Sequence, residues 1–331
     1  MKKAGVIASF FICLLLVLTG CGSSGKDELK FGTGGQGGTY YAYAGQMSEL
    51  MTDISFDVKT TAGSAANIRL VNENFLDIAI AQSDILASAK NGTGIFAGEN
   101  FTSGYGAVAA LYTEAVQLVT TKDSGIDSVA ELGGLTVSIG EKESGVLQNA
   151  GQILQAYGLK EEDLDARYYS FSDAADALKN GELDAFFITA GAPTSAVADL
   201  AKEIDIKLIS IDETQLMAVM NLYDGYVKCT IPAGTYAGVD EDIVTLGVKA
   251  VLIARTGLDN EVVESLAENI FKYASDLKSN ICTDGELDAA FATDAVGCGF
   301  HEGAADYYSR QGISVEIETS GGTSVTAGQD E

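Results

Sequence analysis

From residue 29 onward, short apolar runs alternate with stretches whose apolar residues recur every three or four positions. Leu29-Lys30-Phe31-Gly32 reads as a strand running into Gly34-Gly35-Gln36-Gly37-Gly38. The spacing of Tyr40, Tyr43, Ala44, Met47 and Leu50 then predicts a helix over 39–52. A strand is expected over 54–60, followed by a helix N-capped by Ser64 with Ile68 and Val71 on its buried face. A third strand, over 76–80, is apolar enough for burial in a parallel sheet.

The same order recurs about 107 residues later. A strand over 135–139 leads through a polar loop, 140–145, into a helix over 146–157. A strand at 167–169, a helix capped by Ser172 with Asp173 and a buried strand over 183–188 complete the set. Val71-Asn72-Glu73-Asn74-Phe75-Leu76-Asp77 lines up with Leu178-Lys179-Asn180-Gly181-Glu182-Leu183-Asp184. Any two βαβ units share some likeness of this kind; the near-constant offset of every element is what favours an internal repeat. Two similar α/β lobes make a clamshell with a ligand cleft between them. In such sheets ligands lie beyond the carboxyl ends of the strands, where loops feed helix N-termini. The turns after the strands are therefore the candidate binding elements: Gly34, Gly35, Thr39 and Tyr40; Ser64 and Asn67; Gln82 and Ser83; Ser144 and Gly145; Thr189, Gly191 and Pro193.

Gly32-Thr33-Gly34-Gly35-Gln36-Gly37 satisfies G-x-G-x-x-G, but the next strand ends Asp57-Val58-Lys59-Thr60-Thr61, with no acid at its tip to hold a ribose. The glycines instead suit close approach of the backbone to a small ligand, with helix N–H groups aimed at an anionic group. Gly63-Ser64 and Ser144-Gly145 offer the same chemistry, although plain capping accounts for either serine taken alone. Asn67 and Gln82 are amides able to pair with both ends of an amino acid, and Tyr40 suits the ligand's apolar part or the core.

Composition narrows the function. The chain of 331 residues carries 20 Lys+Arg against 47 Asp+Glu, a formal charge of −27. That balance excludes a nucleic-acid partner, which needs a basic stripe. A single His, no C-x-x-C and no G-x-S-x-G leave no expected metal, cofactor or catalytic set. An extracytoplasmic hydrolase using Ser64 or Ser144, and an acidic surface antigen without a ligand, are the readings from other classes.

Lys2 and Lys3 followed by an apolar run from 4 to 18 form a signal peptide over 1–20. Its end, Leu18-Thr19-Gly20-Cys21, resembles a bacterial lipobox, which makes Cys21 a lipid-bearing N-terminus with 21–28 as a flexible tether to the membrane. Cleavage removes two lysines and no acid, so the mature charge becomes −29. A Cys282–Cys298 bridge is an expectation that an oxidising compartment allows.

Several blocks resemble one family. Gly32-Thr33-Gly34-Gly35-Gln36-Gly37-Gly38-Thr39-Tyr40-Tyr41 is similar to the opening motif of TAXI proteins, the substrate-binding components of one class of TRAP transporters. Thr61 to Leu70, Ala79-Ile80-Ala81-Gln82-Ser83-Asp84, Thr189 to Thr194, Ile231 to Tyr236 and His301 to Tyr308 resemble later blocks, with Glu302 replacing the usual Pro. The resemblance implies a type II periplasmic-binding-protein fold and no enzymatic activity. It further implies a small organic anion as ligand, a glutamate-like amino acid or dicarboxylate, and a TRAP membrane permease as partner. An ABC-type lipoprotein receptor for a small anion such as a sulfonate is the alternative. By analogy with that fold, lobe 1 spans 29–120, lobe 2 spans 121–211, residues 212–318 return to lobe 1 and 319–331 form a mobile tail. The crossings then fall at 119–122 and 209–213, and His301 orients the turn before the last helix.

Overall fold

The computed structural model describes residues 28–99, 101, 103–278, 287–318 and 325–326. The strands are β1 (Leu29–Gly32), β2 (Phe56–Lys59), β3 (Ile78–Gln82), β4 (Tyr105–Thr121), β5 (Thr136–Ser138), β6 (Asp165–Arg167), β7 (Ala185–Ala190), β8 (Ile206–Ile209), β9 (Val227–Ile231), β10 (Ile243–Arg255), β11 (Glu316–Ile317) and β12 (Val325–Thr326). The helices are α1 (Thr39–Leu50), α2 (Ser64–Asn72), α3 (Ser83–Asn91), α4 (Gly145–Ala156), α5 (Phe171–Lys179), α6 (Ser195–Glu203), α7 (Glu213–Leu222), α8 (Asn260–Lys272), α9 (Ala274–Lys278), α10 (Ala289–Thr293) and α11 (Glu302–Arg310). The signal peptide, Cys21, most of the tether, Cys282 with its expected bridge and most of 319–331 lie outside the described residues.

The fold is mixed α/β. One sheet runs β2-β1-β3-β10-β4-β7-β5-β6, with β8 beside β4 and β9 beside β10. The repeat is visible in it: β1 lies between β2 and β3 in parallel, and β5 lies between β6 and β7 in the same way. Its physical signature is a pair of aspartates. Asp77 Oδ2 accepts from the Lys30 amide at 2.9 Å and Asp184 Oδ2 from the Thr136 amide at 2.8 Å. Each caps the first strand of its lobe from a turn in which two successive amides bond one helix carbonyl, that of Leu70 or Ala177.

β3 is buried along its whole length, as its apolar sequence demands. α1 turns Tyr40, Tyr43, Ala44 and Met47 inward to a core that also holds Phe31, Ile80 and Ile253. The second lobe covers both sheet faces, with Val137, Ile153 and Leu216 on one and Phe186, Ile188 and Val197 on the other.

The division between the lobes differs from the one expected. Tyr112 and Ala250 belong to the first core, whereas Ala115, Val116, Leu246 and Val248 belong to the second. The chain therefore passes between lobes inside β4 and returns inside β10, two long antiparallel strands that register Glu114 against Val248. Residues 119–122 and 209–213 lie within the second lobe, and α7, β9 and the first part of β10 pack there too. Two local expectations also shift. Gly63 and Ser170, not Ser64 and Ser172, cap α2 and α5. Among the described residues no helix is long and apolar enough to cross a membrane.

Candidate functional site

The carboxyl ends of β1, β3, β5 and β7 converge on a cavity of about 40 Å³ between the lobes. The first lobe contributes Gly34, Gly35, Gly38, Thr39, Tyr40, Ala62, Gly63 and Gln82. The second contributes Glu141, Ser144, Gly145, Val146, Phe171, Thr189 and Ala190, and Glu114 comes from the shared strand β4. A water needs roughly 10–15 Å³, so this space holds about three waters and the lobes are closed on it. Direct contacts keep them so. The Ala66 amide donates to Glu143 O at 3.1 Å, the Ala196 amide to Gly37 O at 3.2 Å and Thr39 Oγ1 to Gly191 O at 3.2 Å. Arg69, which rests on the Phe96 ring, pairs with Glu143 across the cleft.

The cavity is bipolar. On one side, α4 begins at Ser144, whose Oγ accepts from the Leu147 amide at 3.3 Å and donates to Glu141 O. The Gly145 and Val146 amides make no hydrogen bond among the described residues. α1 likewise begins without a side-chain cap. These are the positive ends of two helices. On the other side lie acceptors and acids. Glu114, 1% exposed, receives Tyr40 Oη at 3.2 Å. Burial pushes its carboxyl well above the usual range, and hydrogen bonds from Tyr40 and Gln82 offset this only in part. Gln82 Oε1 is buried without a partner. It lies so close to Gly145 that a Cβ there would fall 2.0 Å away. Glu141 is half-buried with its carboxyl raised, first by burial and then by Asp173. No Lys or Arg lines the cavity.

The remaining candidates divide by their partners. Tyr40 Oη also meets Ser64 Oγ, which accepts from the Gln82 amide, so Ser64 holds β3 rather than capping α2. Asn67 is fully buried and committed, donating to Thr33 O and Ile80 O and accepting from Thr61 Oγ1; it does not line the cavity. Ser83 Oγ accepts from the Lys249 amide and ties α3 to β10. Gly191 offers its carbonyl to Thr39 and Thr194, while Pro193 is exposed, and neither lines the cavity. Thr189 donates to Asn149 Oδ1 at 2.9 Å. His301 caps α11 through Nδ1, accepting from the Gly303 amide, far along the chain from these turns.

Sequence reasoning missed Glu114. Its signal was a single acid inside the 17-residue β4, whose other residues are all uncharged, where a buried carboxylate must find a purpose or a proton. Asp84, which the sequence placed in the turn after β3 without a role of its own, is 3% exposed, and its Oδ2 accepts from Asn149 of the other lobe at 2.8 Å. Burial raises its carboxyl to about 7, against hydrogen bonds led by that of Asn149.

The family model for the NMT1-like family matches residues 31–312. The chain belongs to the NMT1-like family. This NMT1-like chain shares its fold with solved structures at low identity. A periplasmic transporter is 13% identical with a TM-score of 0.56, over 86% of this chain and 95% of that one. A protein from Bordetella bronchiseptica RB50 is 14% identical with a TM-score of 0.54, over 87% and 99%. The periplasmic aliphatic sulphonate binding protein SsuA from Escherichia coli, at 15%, reaches 0.44 over 85% and 78%. The fold is the two-lobed periplasmic-binding-protein fold with a ligand cleft. Among the described residues, no group of His, Cys, Asp or Glu is placed to hold a metal ion.

Proposed function

We propose that this chain is an extracytoplasmic receptor, lipid-anchored at Cys21, that captures a small organic anion such as a glutamate-like amino acid or a dicarboxylate. The observation that carries this reading is the interlobe cavity with the Gly145 and Val146 amides unbonded on its wall. A carboxylate docked there gains charge-assisted hydrogen bonds and the favourable end of the α4 dipole without any cationic side chain. The net negative charge is then no obstacle, because the binding charge is partial and local.

Delivery to a TRAP permease is the finer part of the proposal. It is supported by where the TAXI-like blocks fall: Gly34, Gly35, Gly38, Thr39, Tyr40, Ala62, Gly63 and Gln82 line the cavity, and Ser64 lies directly behind it. Binding selects the closed form, which the permease would read.

A thermal-shift screen over amino acids, dicarboxylates and sulfonates tests the receptor reading. Ligand at 100 times Kd should stabilise the closed form by about 2.7 kcal/mol. Turnover of a hit, or no stabilisation by any of these classes, sinks it. Reconstituted transport that requires ATP rather than an ion gradient would move the partner from TRAP to ABC.

A further inference from the structure

The cavity holds more acceptor than an anion can use. Gln82 Oε1 lacks a donor, the Glu114 carboxyl stands beside it, and among the described residues no Lys or Arg lines the cavity. A buried acceptor left unpaired is costly, so its donor is expected to arrive from outside. Opposite this pair, the α4 amides await an acceptor. The two sides thus match the two ends of a zwitterion, and the polarity leaves one orientation.

We propose that Glu114, with Gln82 Oε1, is the specificity-determining contact for the ligand's ammonium group, and that binding drives a proton from Glu114 into solvent. This rests on the receptor reading and deepens it. In the closed cavity the carboxyl stays protonated beyond the usual range, chiefly through burial. An ammonium within hydrogen-bond reach favours the carboxylate, so the O–H bond of Glu114 breaks and its proton passes to buffer while the ligand keeps all of its own.

The surroundings set the direction. Tyr40 from α1 donates to Glu114, and Gln82 from β3 adds a second hydrogen bond. Asp84 from α3 disfavours the charge, Tyr112 lies on the same strand, and Glu141 faces the same cavity. Lys249, in the neighbouring strand β10, is committed to Asp294. Affinity should therefore rise with pH through the titration window, by up to about tenfold per pH unit, and level off where free Glu114 is already ionised.

The test is titration calorimetry at pH 5.5 to 8.5 in phosphate and in Tris. The ligands are L-glutamate and L-glutamine, and the matched compounds without an ammonium are 2-oxoglutarate and glutarate. Expected are release of up to one proton per amino acid bound and, in Glu114→Gln, a loss of about 10- to 100-fold with a flat pH profile. Should Glu114→Gln fail to fold by circular dichroism, the two-buffer proton count on the unaltered protein decides. Equal or tighter binding of 2-oxoglutarate or glutarate, or amino-acid binding with no proton released at any pH, overturns the proposal and leaves the receptor reading standing. Binding of none of the four overturns this proposal, and the thermal-shift screen then judges the receptor reading separately.

Discussion

Asp84→Asn isolates the cost of one buried charge. In the closed protein the Asp84 carboxyl is sealed between the lobes, with Asn149 as donor and Tyr226, itself bonded to Asn149, behind it. Burial raises its pKa from an ordinary 3.8 to about 7. Each pH unit of such a rise is worth about 1.4 kcal/mol, so ionising Asp84 in place costs about 4 kcal/mol relative to ionising it in water. The folded-state pKa lies above the unfolded one. The group's contribution is therefore fully present below about pH 4 and is lost as pH climbs toward 7. Asparagine keeps an acceptor for Asn149 and has no charge to lose. The assay is urea unfolding of ligand-free protein from pH 4 to 8, followed by circular dichroism because the chain lacks Trp. Small-angle scattering runs in parallel. Asp84→Asn should gain on the parent protein as pH rises, and Glu114, present in both, largely cancels in the difference. Where the parent relieves the charge by parting its lobes, scattering shows expansion in the parent alone. A stability gap that is the same at pH 4 and pH 8, with no difference in size, would refute the reasoning.

Gly145→Ala places a Cβ 2.0 Å from Gln82 Oε1 and 2.4 Å from its Cδ. Strain of about 1–3 kcal/mol on closure should weaken ligand binding tenfold or more while secondary structure is kept; unchanged calorimetric affinity would show that Gln82 simply swings aside. Tyr236→Phe removes the hydroxyl that donates to Gln117 Oε1 at 2.7 Å and accepts from the Thr194 amide at 2.9 Å. A loss of about 1–3 kcal/mol in urea unfolding is expected, with ligand affinity kept. His301→Ala deletes the α11 cap and should cost about 1 kcal/mol without altering affinity; a large affinity loss would instead give His301 a role at the ligand.

The alternation of strands and helices was legible because local pattern sets it: β3, α1 and the Asp77 and Asp184 turns each carry their geometry in a few neighbouring residues. The lobe boundary was not. β4 is buried almost without a break, and its one charged residue, Glu114, sits where the neighbours change from first-lobe to second-lobe core, a mark that periodicity alone does not read as a crossing. The site divided along the same line. Turn glycines and Ser144 follow from strand ends, but the fate of an amide depends on distant partners. Thr33, Thr61 and Ile80 saturate Asn67, while Gln82, an equally plausible amide, keeps an oxygen unpaired. Glu114 escaped notice because a search of turns does not look inside a strand.

The lobes are joined by a hydrogen-bonded ladder, β4 against β10, with register shifts between Ala250 and Val251 and between Leu252 and Ile253. Such a joint behaves as a torsion bar rather than a string: it stores elastic energy when twisted and leaves little slack to freeze out on capture. Its amides should stay protected from hydrogen exchange in both states, so the pivot would be silent while the rims of the cleft report the motion. Glu114 sits on that axis, where displacement is least. Opening and closing would then move the helix ends of α1 and α4 relative to Glu114 rather than Glu114 itself.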